Sequence, residues 1–147
     1  MNIILGFLFF LNTIISFSQT AIVEKDTLSG FYLTKSFDGF TGENFETLIL
    51  AEKPYIYISE VEKVSQDFDF RNRPVVTLKL KNEAKQKLNE ISVAHYGEPL
   101  VIRFGTKIIM APTIFGPIEN GEVQISGNFT LEETASMVNW IKKRIEK

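Results

Sequence analysis

The chain has 147 residues, and its 16 basic and 18 acidic side chains give a formal charge of −2. That balance lacks the basic excess a phosphate backbone demands, so nucleic acid is a poor partner. The absence of cysteine excludes a disulfide scaffold and any thiolate metal site, and a 44% hydrophobic composition leaves the fold to stand on an apolar core.

The opening stretch "MNIILGFLFFLNTIISFS" (Met1–Ser18) carries no charged side chain, and its densest apolar run, Ile3 to Leu11, is too short to span a bilayer. Ser16 and Ser18 are the small residues a signal peptidase accepts, which predicts an export signal cut before Gln19, with a retained membrane anchor as the alternative. No later apolar stretch reaches membrane-spanning length, so the expectation is an exported protein of the periplasm or cell envelope, or one that is secreted. Gln19 to about Asp26 reads as a loose leader.

"GFYLTKS" (Gly30–Ser36) and "FETLILA" (Phe45–Ala51) are rich in aromatic and β-branched residues and flank the turn signal "FDGFTGEN", which predicts a long-looped hairpin. "PYIYIS" continues the β character, and Ser59 is a candidate cap for a short helical turn through "EVEKV". "VSQDFDF" and "VVTLKL" both alternate, so they predict a second hairpin with Val64, Gln66, Phe68 and Phe70 turned inward. "NEAKQKLNEISVAHYG" reads as a helix over 82–95, with Asn82 as N-cap, Ala84, Leu88 and Ile91 as its apolar stripe, and Gly97 closing it in the left-handed conformation.

"EPLVIRF" and "KIIMA" bracket Gly105-Thr106, where glycine in first position suits a type II′ hairpin, and Pro112 ends the second strand. "VQIS" follows the Asn120-Gly121 turn as a short strand. Thr130 and Glu133 have the spacing of a capping box opening a helix over 130–145, whose core face takes Leu131, Ala135, Val138, Ile141 or Trp140, and Ile145. The sum is an α+β domain: two helices on one face of a mainly antiparallel sheet, with a ferredoxin-like sandwich as the preferred topology.

From about Lys63 to Lys143 the chain resembles the head subdomain of the first periplasmic domain of SecD, a part of the bacterial protein-export machinery. "VVTLKLKNEAKQKL", Ala111-Pro112 and above all "QISGNFTLEE" (Gln124–Glu133) carry the resemblance, since that family places a similar isoleucine-serine-glycine-asparagine-phenylalanine-threonine run before its last helix. Glu98 stands where the family often has a basic residue after the helix-ending glycine, and Gly105-Thr106 stands where it usually has aspartate-glycine. The resemblance divides the chain into a signal peptide (1–18), an amino-terminal β-hairpin extension (19–62) and a head-like domain (63–147), without the family's membrane-spanning part. It implies a non-catalytic binding module of the envelope, engaging polypeptide or an export-machinery protein.

Chemistry-bearing residues are few. His95 is the single histidine and lies near a helix end, where it favours the local dipole; Asp67 and Asp69 form a D-x-D pattern on a strand that turns both to solvent. Glu132 and Glu133 belong to the start of a helix, and the sequon Asn128-Phe129-Thr130 uses its threonine as a cap. No cofactor or metal is implied. The competing reading is a small envelope enzyme of hydrolase type working through acidic residues. The 13 phenylalanines are mainly core, though an uncovered sheet edge could use some to hold extended peptide. The candidate binding residues are Ile114, Phe115 and Ile118, in a loop stiffened by Pro112 and Pro117 close to the Gly105-Thr106 hairpin.

Overall fold

The computed structural model describes residues 26–146; the expected export signal and the expected leader up to residue 25 lie outside them. In chain order the elements are β1 (Gly30–Tyr32), β2 (Thr34–Ser36), β3 (Ile49–Leu50), β4 (Ile56–Tyr57), β5 (Val61–Phe68), β6 (Pro74–Leu80), α1 (Asn82–Ala94), β7 (Val101–Phe104), β8 (Lys107–Met110), β9 (Glu122–Ile125) and α2 (Leu131–Ile145). The α+β class is as expected. The strands, however, divide into three antiparallel sheets where one sheet of ferredoxin-like type was expected: β4-β1-β7-β8, β5-β6-β9 and the small β2-β3 pair.

Period-two alternation explains how the larger sheet is covered on both faces. Phe31 and Ile102 enter the main core with Leu78, Leu88, Ile125 and Ile141, whereas their neighbours Tyr32 and Val101 join Leu48 and Ala111 in a second cluster. That second cluster is roofed by Phe40, Phe45 and Leu50 from the loop between β2 and β3 and from β3 itself. Each fully buried aliphatic side chain of this kind is worth about 1.5–3 kcal/mol. Gly30 makes the close pairing of β1 with β4 possible, because a Cβ there would run into the Ile56 carbonyl oxygen.

The expected hairpin of 30–36 with 45–51 exists only between β2 and β3, since Gly30–Tyr32 pairs instead with β4 and β7. The turn expected through "EVEKV" is a short 3-10 helix at Ile58–Glu60, closed by the Glu60 carboxylate accepting from the Tyr57 N–H at 2.7 Å, and Val61 already begins a strand. Asn82 sits inside α1 rather than capping it; Lys81 holds the cap position without a side-chain hydrogen bond. Ala84, Leu88 and Ile91 are buried as the stripe requires, and Gly97 has φ +83°.

Phe68 and Phe70 are the clearest departures, being 55% and 90% exposed. The face is the one predicted, because Gln66 Nε2 donates to the Leu131 carbonyl at 2.8 Å and to Thr134 Oγ1 at 2.6 Å. The helix starts beside Gln66, so the strand runs past its end and leaves Phe68 uncovered. The same offset exposes Leu131, and Thr134 takes the buried place expected of it. At the helix start the capping box is complete: Glu133 N–H donates to Thr130 Oγ1 (3.1 Å) and Thr130 N–H to Glu133 Oε2 (2.7 Å).

Candidate functional site

Among the described residues strand β8 is an edge: it pairs with β7 on one side and with no described strand on the other. Two depressions lie along it. The first, about 480 Å³, is lined by Phe104, Lys107, Ile109, Met137, Trp140 and Arg144 around the Gly105-Thr106 turn. The second, about 460 Å³, is bounded by Ile109 to Thr113, the Ser126–Phe129 loop, and Gly42, Glu43 and Phe45. Ile109 belongs to both, so together they follow the strand, with α2 and the loop before it opposite.

The first depression is held in shape by a chain of polar contacts that starts in the hairpin turn. Gly105 has φ +57°, as a type II′ turn requires, and its N–H donates to Ser29 Oγ at 2.7 Å. The Ser29 hydroxyl donates in turn to Asp26 Oδ2 at 2.6 Å, and Arg144 Nε donates to the same oxygen at 2.9 Å. Partial burial works to raise the Asp26 pKa, but the hydrogen bonds from Ser29, Arg144 and Leu28 outweigh it and hold the carboxyl below its ordinary value. The Arg144 guanidinium lies 3.4 Å from the centre of the Trp140 ring, which stacks on Phe104 with centroids 4.8 Å apart. A cation over an indole contributes about 0.5–2 kcal/mol, so the wall is preorganised by its own contacts. At the far end, a Cβ on Gly127 would come 2.9 Å from the Phe129 ring, so glycine in "ISGNF" lets that ring fold back beside the second depression.

The three residues singled out from sequence are separated by the fold. Ile114 is 4% exposed and part of the main core, with its N–H donating to the Glu98 carbonyl at 2.9 Å. Ile118 packs against that core at half burial, and its N–H donates to Ser92 Oγ at 2.8 Å. Phe115 is 78% exposed and lines neither depression. The predicted hairpin does form one end of the groove, but Phe104, Ile109, Met137, Trp140 and Arg144 were not singled out. One signal was present: Trp140 and Arg144 are four residues apart on a helix, the spacing at which an aromatic ring and a cation meet.

The titratable groups are engaged in local structure. His95 Nδ1 lies 2.8 Å from Glu98 Oε2 at the end of α1. Asp67 accepts from the Ser65 hydroxyl at 2.8 Å, which lowers its pKa, and Asp69 is lowered by the Arg73 N–H, with further bonds from the Arg73 side chain and Arg71 N–H. Among the described residues no three His, Asp or Glu side chains are grouped to hold a metal ion. No helix among them is long and apolar enough to cross a membrane.

Residues 19–143 match the family model described as "SecDF, P1 head subdomain". The chain is 30% identical over 103 residues to the protein translocase subunit SecD of Rickettsia prowazekii, covering 70% of this chain and 20% of that protein. A SecD of Calditerrivibrio nitroreducens is 30% identical over 114 residues with the same two coverages. The chain therefore spans about a fifth of the curated relatives it matches. Among solved structures, a chain of "a membrane component SecDF that enhances protein export" superposes with a TM-score of 0.66 at 23% identity, over 79% of this chain and 63% of that one. SecDF in a super-membrane-facing form gives a TM-score of 0.60 at 25% identity, over 66% and 13%.

Proposed function

Because the chain belongs to the SecDF P1 head subdomain family, we propose that it is a non-catalytic, exported module associated with protein export, which holds extended polypeptide along β8. One observation carries this reading: an unpaired strand edge flanked by two depressions with apolar walls. A segment added to such an edge gains main-chain hydrogen bonds without regard to sequence, while the depressions receive its side chains. That combination suits a client whose sequence varies. The family and the signal expected at Met1–Ser18 support a place in the periplasm or cell envelope.

The carboxylates with shifted pKa argue against the hydrolase alternative. Asp26, Asp67 and Asp69 are all held down, away from the neutral range in which a general acid or base works. His95 has Glu98 as its neighbour, and among the described residues no hydroxyl is hydrogen-bonded to its ring.

A second reading is favoured by a separate feature. Val93, Tyr96 and Phe115 are all exposed, and the Gly97 N–H donates to the Ile114 carbonyl at 2.8 Å, which joins the backbone segments that carry Tyr96 and Phe115. This apolar surface suits an export-machinery protein. A photo-cross-linking residue at Lys107, at Phe115 or at exposed Lys79 as control separates the readings against a defined, permanently unfolded polypeptide. Cross-links from Lys107 alone are expected. Cross-links only from Phe115 would move the client to the second surface, and equal labelling from all three positions would sink both.

A further inference from the structure

The groove along β8 carries opposite charge at its two ends. At the hairpin end its charged lining residues are Lys107 and Arg144, and no carboxylate lines it. Arg103 belongs to the same hairpin, with Nε donating to the Gly105 carbonyl at 2.7 Å. Asp26 offsets Arg144 at 2.9 Å, but Lys107 has no ion-pair partner among the described residues. The Arg144 guanidinium makes two hydrogen bonds, through Nε to Asp26 and Nη1 to the Trp140 carbonyl, so three of its five donors stay available. At the other end Glu43 is the one charged lining residue.

Resting on the reading that polypeptide lies along β8, we propose that the groove selects for charge. It favours an extended segment whose apolar side chain rests against Ile109 and the stacked Phe104 and Trp140 rings while a neighbouring carboxylate meets Lys107 and Arg144. An acidic residue at the Met110 end would instead meet Glu43. The occupant is thus an apolar segment with an acidic flank on one side, and main-chain pairing supplies the affinity that charge then tunes. Electrostatic complementarity of this kind discriminates between partners more than it raises overall affinity. The contrast should therefore be modest and sensitive to salt.

The test uses the whole chain and three labelled peptides sharing one apolar, β-prone centre, with aspartates, lysines or serines on one flank and serines on the other. Fluorescence anisotropy at low salt should show the acidic peptide binding about threefold to tenfold tighter than the basic one, a gap that corresponds to roughly one close charge pair. The gap should shrink at high salt. Lys107→Glu, an exposed change, should reverse the order while the melting midpoint holds, and Glu43→Lys should widen acceptance of the acidic peptide. Equal binding of all three peptides, unchanged in Lys107→Glu, overturns the charge selection and leaves the β8 reading standing. If none of the three binds, the β8 reading falls and takes this inference with it.

Discussion

The loop Thr113–Gly121 and the groove beside β8 are neighbours in the chain, both rich in apolar residues, and they use those residues in opposite ways. In the loop, Ile114 and Ile118 turn into the core, and hydrogen bonds to the Glu98 and Gly97 backbone and to the Ser92 hydroxyl bolt the segment onto the end of α1. In the groove, Phe104, Ile109, Met137 and Trp140 pack against the core at half burial and still present a face outward. A stiff apolar loop is a good candidate for a surface only if no neighbouring element needs its side chains. Here α1 and the main core need them. The walls of the groove come from a hairpin and a helix far apart in sequence, tied to each other by the Gly105–Ser29–Asp26–Arg144 hydrogen bonds and the Phe104–Trp140 stack.

The comparison breaks most visibly at Ile114. Ile114→Ala should cost about 2–5 kcal/mol in urea denaturation, with peptide binding by the folded fraction unchanged. A cost near zero would return this residue to the surface and erase the contrast. Thr130→Ala comes next, at about 0.5–2 kcal/mol, through loss of the box that starts the helical wall of the groove. An unchanged melt would mean the wall does not depend on its cap.

Acid sharpens the comparison at the groove alone. The Asp26 carboxyl is depressed below the ordinary 3.8, so it stabilises the fold above that pH, and the contribution disappears as pH falls through the folded value. Asp26→Asn should therefore melt earlier than the parent at neutral pH, and the difference should close in acid; a constant gap across the titration would remove Asp26 from the account. Phe115→Ala should show the smallest effect, within about 0.5 kcal/mol, because its ring is 78% exposed. A larger loss in a calorimetric scan would show that the loop tip is packed after all.

What could be read from the sequence followed the range of the interaction. The capping box at Thr130 and Glu133, the α1 stripe of Ala84, Leu88 and Ile91, and the left-handed Gly97 all depend on residues within a few positions, and each stands where expected. The "QISGNFTLEE" run belongs with them, since its turn, glycine and cap are local. The hairpin at Gly105 was legible for the same reason, and with it one end of the groove.

Local rules set the period of burial but not where cover ends. Alternation put Phe68 on the face of Gln66, yet only the packed position of α2 sets its first turn beside Gln66 and leaves Phe68 and Leu131 bare. Pairing between distant strands likewise drew Gly30–Tyr32 out of its expected hairpin and into the sheet between β4 and β7, and left β8 as an edge. By itself the sequence determined the class, the helices, the capping box of α2 and the family. Which strand is left at a sheet edge, and which apolar residues the core does not take, were decided by tertiary structure, because burial depends on what long-range packing brings opposite each side chain.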